Sequence, residues 1–171
     1  MAQPRSDIEE RVAEAKASVK EAEKLDPPPA LLILSQRFGL SRFERELLLL
    51  CAAPELDTRI PALCARAQRD PALNYPTLAL AFTLLDEPAW DVISPERQLR
   101  YWKMLEIDQS SGQPMISSPL HLDQRILDYI KGLNYPDVRL APMLSPLDVA
   151  TGETRLTPSQ QRVANRIVSY L

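Results

Sequence analysis

Residues 103–122 read KMLEIDQSSGQPMISSPLHL, and within them the apolar period falls from that of a helix to two. Leu105 and Ile107 alternate with Glu106 and Asp108, which places one face of an extended chain inward and the other in water. Residues 109–114 supply polar turn chemistry around Gly112, and residues 115–122 read as the return strand. His121, between Leu120 and Leu122, then points outward. A β-hairpin is expected here, and almost nowhere else in the chain.

Upstream the pattern is helical. Leu31, Leu34 and Phe38 share a face, with Gly39 placed to close that helix in a left-handed cap. Ser41 and Glu44 have the spacing of a capping box, in which each side chain bonds the other's backbone N–H. The apolar run 47–51 follows, and Pro54 is expected to end the helix. Asp57 can cap the next helix, where Ile60, Leu63, Cys64 and Ala67 recur at i, i+3, i+4 and i+7. Another helix over 77–85 turns Leu78, Ala81, Phe82 and Leu85 inward. Ser94 before Pro95 marks the start of a short helix with Leu99 and Trp102 on one side. Beyond the hairpin, Asp123 caps a last helix of this region, with Ile126, Leu127 and Ile130 inward and Gly132 closing it. Helices, then a hairpin, then a helix describe a mostly α fold with a small β-hairpin, a winged-helix-like domain over 27–133 in which the hairpin is the wing.

Two arms flank that domain. Residues 1–26 read as an amphipathic helix over 7–25, opened by a capping box of Ser6 and Glu9 and stopped by Asp26 and Pro27–Pro29. Its stripe of Ile8, Val12, Ala15, Val19 and Ala22 has heptad-like spacing for barely two heptads, too little for a stable coiled coil. Such a helix lies against its own domain or against a neighbour. Residues 134–156 read as a proline-containing linker or surface strap, and 157–171 as the start of a helix capped by Thr157, Pro158 and Gln160. Its apolar residues Val163, Ile167, Val168 and Leu171 continue to the last position without a C-cap. We expect a helix leading into a further module, the other reading being a helix folded back onto the core. Leu73-Asn74-Tyr75-Pro76 recurs as Leu133-Asn134-Tyr135-Pro136. A duplicated unit and two similar helix-exit turns both fit that repeat.

Composition narrows the chemistry. The 171 residues include 4 glycines and 16 prolines, against a typical usage of about 7% and 5%. Gly39, Gly112, Gly132 and Gly152 never take P-loop, dinucleotide-binding or nucleophile-elbow spacing. His121 is the single histidine, so zinc sites built on histidines are excluded. Cys51 and Cys64 stand too far apart for a two-cysteine zinc knuckle and read as buried structural thiols. Carboxylate pairs such as Glu9 and Glu10, or Asp86 and Glu87, fall on polar faces. No catalytic residue, cofactor site or metal site is expected in this segment. A net charge of −3 gives no general attraction to phosphate backbones. With no signal-peptide pattern and no membrane-length apolar run, a cytoplasmic protein without membrane contact is the expectation.

The stretch FGLSRFERELLLLCAAPELD, Phe38 to Asp57, and the stretch PLHLDQRILDYIKG, Pro119 to Gly132, resemble the opening and closing segments of a variant winged-helix domain at the N-terminus of a group of bacterial AAA+ ATPases. The resemblance spans about residues 30–132, with the middle loosely matched. It implies that an ATPase module follows after a linker and brings the ATP and Mg chemistry, and related ATPases often accompany contractile injection systems. None of that module's nucleotide motifs stands in this sequence.

A winged helix either reads DNA or binds proteins, and the fold alone does not choose. A reading helix carries Arg, Lys, Asn or Gln for base edges, yet residues 77–85 hold none of these, and no Lys or Arg occurs between Arg69 and Arg97. The expected role is therefore a non-catalytic module that recruits a protein partner or client to the parent's own ATPase module. Its candidate surface is Ile8, Val12 and Val19 on the N-terminal helix with Gln109, Ser110, Ser111, Gly112 and Gln113 at the wing tip. Nucleic acid is not the expected partner. The alternative is a DNA-binding regulator contacting the duplex through Arg97, Arg100 and Lys103.

Overall fold

The chain runs α1 (Gln3–Ala22), α2 (Ala30–Phe38), α3 (Arg42–Leu56), α4 (Ile60–Gln68), α5 (Leu78–Leu84), a single-turn α6 (Gln98–Tyr101), β1 (Leu105–Ile107), β2 (Leu120–Leu122), α7 (Gln124–Ile130) and α8 (Pro158–Val168). This computed structural model describes residues 3–109, 112–135, 140, 143 and 156–168. It divides into one unit over Met1–Tyr135 and a second over Pro136–Leu171. The fold is mostly helical with one small antiparallel sheet, as the sequence pattern requires.

Helix α3 is the axis of the first unit. Ser41 accepts the Glu44 N–H while the Glu44 carboxylate accepts the Ser41 N–H, so both orphan donors of the first turn are satisfied. Phe43, Leu47, Leu48 and Cys51 then face Leu78, Ala81, Val92, Leu99, Met104, Leu105 and Leu120 in one apolar cluster. Pro54 does not end this helix, contrary to expectation. It falls in the last turn, where only one ladder bond is lost, and the Asp57 N–H closes the end on Ala53 O at 3.0 Å. Asp57 still organises the turn that follows, accepting from Arg59 N at 2.9 Å, but the residue that opens α4 is Arg59, which makes no side-chain cap.

Four helix ends use the same closure, a hydrogen bond from residue i+5 back to the carbonyl of residue i around a left-handed residue. Leu40 N bonds Ser35 O around Gly39, and Leu133 N bonds Asp128 O around Gly132, as glycine placement suggests. In the other two the left-handed residue is charged: Arg69 (φ 55°) and Lys103 (φ 52°).

The hairpin is shorter than the alternation implies. Leu105, Glu106 and Ile107 pair with Leu122, His121 and Leu120, and Leu105 and Leu120 are buried. His121 is exposed, as its flanking leucines require. Residues 115–117 do not extend the return strand. They form a 3-10 turn, because Ser117 N and Ser118 N bond back to Pro114 O and Met115 O instead of across the sheet. The Ser118 hydroxyl also donates to Pro114 O.

Other boundaries shift for similar reasons. Helix α1 begins at Gln3, so Ser6 is an internal residue and not its N-cap, and the helix gives way to tighter turns after Ala22. The start expected at Ser94 is a turn after a 3-10 segment (Trp90–Ile93), and α6 begins only at Gln98. On α4 Cys64 is buried, but Leu63 and Ala67 are exposed, so the inward face is narrower than its spacing implied. In the second unit, Thr157 and Gln160 cap α8 reciprocally, with Thr157 N donating to Gln160 Oε1 at 2.9 Å, and Val163 is exposed. The side chains of Ile167 and Val168, and residue Leu171, lie outside the described residues.

Candidate interaction surface

The α1 stripe is open. Ile8, Val12 and Val19 are 57%, 48% and 52% exposed, and Ala15 is exposed beside them. Half-buried Ala22 ends the stripe, and the adjoining Glu23 meets Arg45 of α3 at 3.4 Å. At the wing tip Gln109, Gly112 and Gln113 are exposed, and Gly112 turns the chain at φ 68°. Ser110 and Ser111 lie outside the described residues.

Arg97, Arg100 and Lys103 do not form one cluster. A guanidinium nitrogen of Arg97 donates to Glu44 Oε2 at 3.1 Å, and its Nε sits 3.4 Å from Asp91. Glu44 is 1% exposed, so Arg97 is the counter-charge of a carboxylate buried in the first turn of α3. Arg100 and Lys103 open instead onto a shallow concavity of about 340 Å³ with Leu105, Glu106 and Ile107.

Helix α5, where a DNA-reading winged helix would present its base contacts, carries Leu-Ala-Leu-Ala-Phe-Thr-Leu and no cation. Thr77 caps it, accepting from Leu80 N and donating to Gln68 Oε1 at 2.6 Å. Its outward side, with Leu84 exposed, borders a cavity of about 270 Å³ lined by Ala67, Leu73, Leu80 and Ser117 among others. That volume falls below the roughly 300–1,000 Å³ of small-molecule sites.

Three further features have no local signature in the sequence. An aromatic column runs from buried Phe43 through Phe82, 5.8 Å away, to exposed Trp90 at 4.5 Å. Trp102, expected beside Leu99, is 52% exposed while Leu99 is fully buried. Tyr135 donates to Asp128 Oδ2 at 2.6 Å and Gln124 to Oδ1 at 2.9 Å, which holds the Asp128 carboxyl below its ordinary range and pushes the Tyr135 phenol up. The matching tyrosine of the repeat, Tyr75, contributes its carbonyl to Gln68 instead, so the two Leu-Asn-Tyr-Pro turns do different work. A signal for the Asp128 pairing exists only in hindsight, in the seven residues that separate acid and phenol across a helix end.

Neither thiol is poised for chemistry. Burial pushes Cys51 far up, with Cys64 adding to it, and raises Cys64 as well. Among the described residues no group of His, Cys, Asp and Glu could hold a metal ion. None of the described helices is long and apolar enough to cross a membrane.

A family model described as a winged helix domain, variant, matches residues 2–144. No curated protein matches the chain, and no solved structure does.

Proposed function

Since the chain belongs to the variant winged helix domain family, we propose that it is a non-catalytic protein-interaction module that recruits a partner or client to an AAA+ ATPase module of the same protein. The exposed Ile8, Val12 and Val19 stripe carries this reading. Three aliphatic side chains held in line on one helix and left about half in water are suited to a partner's apolar groove. The cation-free α5 supports it from the other side, because duplex reading has no Arg, Lys, Asn or Gln there to work with. The DNA-regulator alternative keeps Arg100 and Lys103 but loses Arg97 to Glu44 and Asp91.

The test is the triple change of Ile8, Val12 and Val19 to Ser in the full chain. Because these side chains are already half exposed, the melting temperature should stay within about 2 °C of wild type, while capture of the partner by the immobilised chain is lost. A melting point lowered by several degrees with capture intact would show that the stripe serves the fold only.

A further inference from the structure

Helix α6 is one turn long and buries one residue fully, Leu99. With about 3.6 residues to a turn, anchoring Leu99 turns Arg100 and Tyr101 away from the core, and the helix ends before Trp102 and Lys103 can return to it: Tyr101 is 65% exposed, Trp102 52%, Lys103 exposed and Arg100 partly so. Trp102 is nonetheless held in place. The Trp102 indole N–H donates to Gln98 Oε1 at 2.9 Å, and its ring meets Phe38 at 5.4 Å and Tyr101 at 5.1 Å, both edge to face. Arg100 and Lys103 flank the two rings along the chain, on α6 and its cap, and Arg37 precedes Phe38; none of the three makes an ion pair among the described residues. Arg97, three residues before Arg100, is ion-paired to Glu44 and Asp91 by contrast.

Lys103 adds an independent observation. It occupies the left-handed position of the α6 closure, where Met104 N bonds Leu99 O at 2.8 Å and where glycine carries the least strain. A lysine there sets a charge beside the rings at the expense of backbone comfort, and strained residues concentrate where a ligand is held.

Half-open aromatic rings with unpaired cations as their chain neighbours suit a ligand that is both flat and anionic. An acidic peptide would use the cations and leave the rings idle, and a duplex keeps its base faces stacked on one another. The unstacked bases and phosphates of a single strand use both. The chain's net charge of −3 does not forbid this, since screening over about 8–10 Å makes the local charges decide. Glu106 is the one carboxylate lining the adjoining concavity. The geometry points to a site for short single-stranded nucleic acid, with Tyr101 and Trp102 stacking on bases and Arg37, Arg100 and Lys103 meeting phosphates. It stands apart from the α1 stripe and does not depend on it.

The experiment uses the full chain with Trp90→Phe, which leaves Trp102 as the one tryptophan of the two in the sequence. Oligothymidylate of about twelve nucleotides, within the span of known single-strand sites, is titrated at several salt concentrations from about 50 mM upward. Trp102 emission should be quenched, with a slope of log affinity against log salt near −2, about −0.7 for each of three phosphates. An abasic strand of equal charge should bind at least about fivefold more weakly. Lys103→Gly, which relieves the backbone and so leaves the fold intact, should weaken binding and make the slope shallower by about 0.7. Absence of quenching up to about 100 μM, the weak end of non-specific binding, would overturn the proposal. Equal binding by polyglutamate would overturn it in favour of an acidic protein partner, and equal binding by a duplex in favour of the DNA-regulator reading.

Discussion

Replacing Arg97 with alanine strips the counter-charge from Glu44, whose side chain is 1% exposed against 34% for Arg97. What remains to Glu44 is the Ser41 N–H on Oε2, while Oε1 already makes no hydrogen bond among the described residues. Removing one partner of a fully buried pair costs about 3–5 kcal/mol, and an exposed pair contributes about 0–1 kcal/mol. With a third of Arg97 in water, the expected loss lies between these limits, at about 2–3 kcal/mol. In a chain of this length that lowers the melting temperature by roughly 5–10 °C. Urea unfolding should give the same loss with an unchanged slope, because the native surface is preserved. A double-mutant cycle with Glu44→Gln, which keeps an acceptor for Ser41, should show coupling of about 1–3 kcal/mol. Lys131→Ala, which breaks the 3.3 Å pair with largely exposed Glu55, should cost under about 0.5 kcal/mol. The reasoning is refuted if Arg97→Ala costs no more than the Lys131 change, or if the cycle is additive.

Thr77→Val removes both the α5 cap and the Gln68 contact from a fully buried position, so a loss of about 1–2 kcal/mol in urea unfolding is expected. Lys103→Gly should act in the opposite direction, raising stability by up to about 1 kcal/mol through relief of its left-handed backbone. The Asp128 and Tyr135 pair makes a signed pH prediction, read from melting temperatures of wild type against Tyr135→Phe. Asp128 is depressed in the fold, so its contribution is present above the ordinary carboxyl range and lost as pH falls through the depressed value. Tyr135 is raised, so its contribution is complete below about pH 10 and lost as pH rises through the raised value. The difference between the two proteins should therefore be largest near neutrality, and a difference that grows toward acid would contradict the pairing.

What could be read from the sequence was what neighbouring residues decide among themselves. The Ser41 and Glu44 box, the Gly39 and Gly132 closures, the Asp123 and Thr157 caps and the outward His121 each depend on a few consecutive positions. Residues 53 positions apart are different: nothing local marks Arg97 for Glu44, and a cluster drawn from spacing alone gathered Arg97 with Arg100 and Lys103. Burial geometry was equally hidden at α6, where a three-residue spacing put Trp102 with Leu99, yet the helix ends before a second inward position is reached. Pro54 shows the remaining limit, since a proline's effect depends on how many ladder bonds lie beyond it. Of the proposed recruiting surface, the α1 pattern was visible because amphipathic spacing is local. Its exposure rests on what the rest of the fold leaves uncovered, for which the sequence offers only the break at Pro27–Pro29.

The brevity of the hairpin bears on how this molecule avoids sticking to its own kind. Three-residue strands offer too few free backbone groups to template a foreign strand, and the outer side of β2 already gives its Leu120 N–H to Pro76 O at 3.0 Å. Proline at 119 and charged or polar side chains at Glu106 and His121 guard the remaining rim. A visitor therefore finds few backbone groups to extend the sheet on, which favours recognition by side chains. That guards the β wing against the edge-to-edge aggregation that longer exposed strands invite.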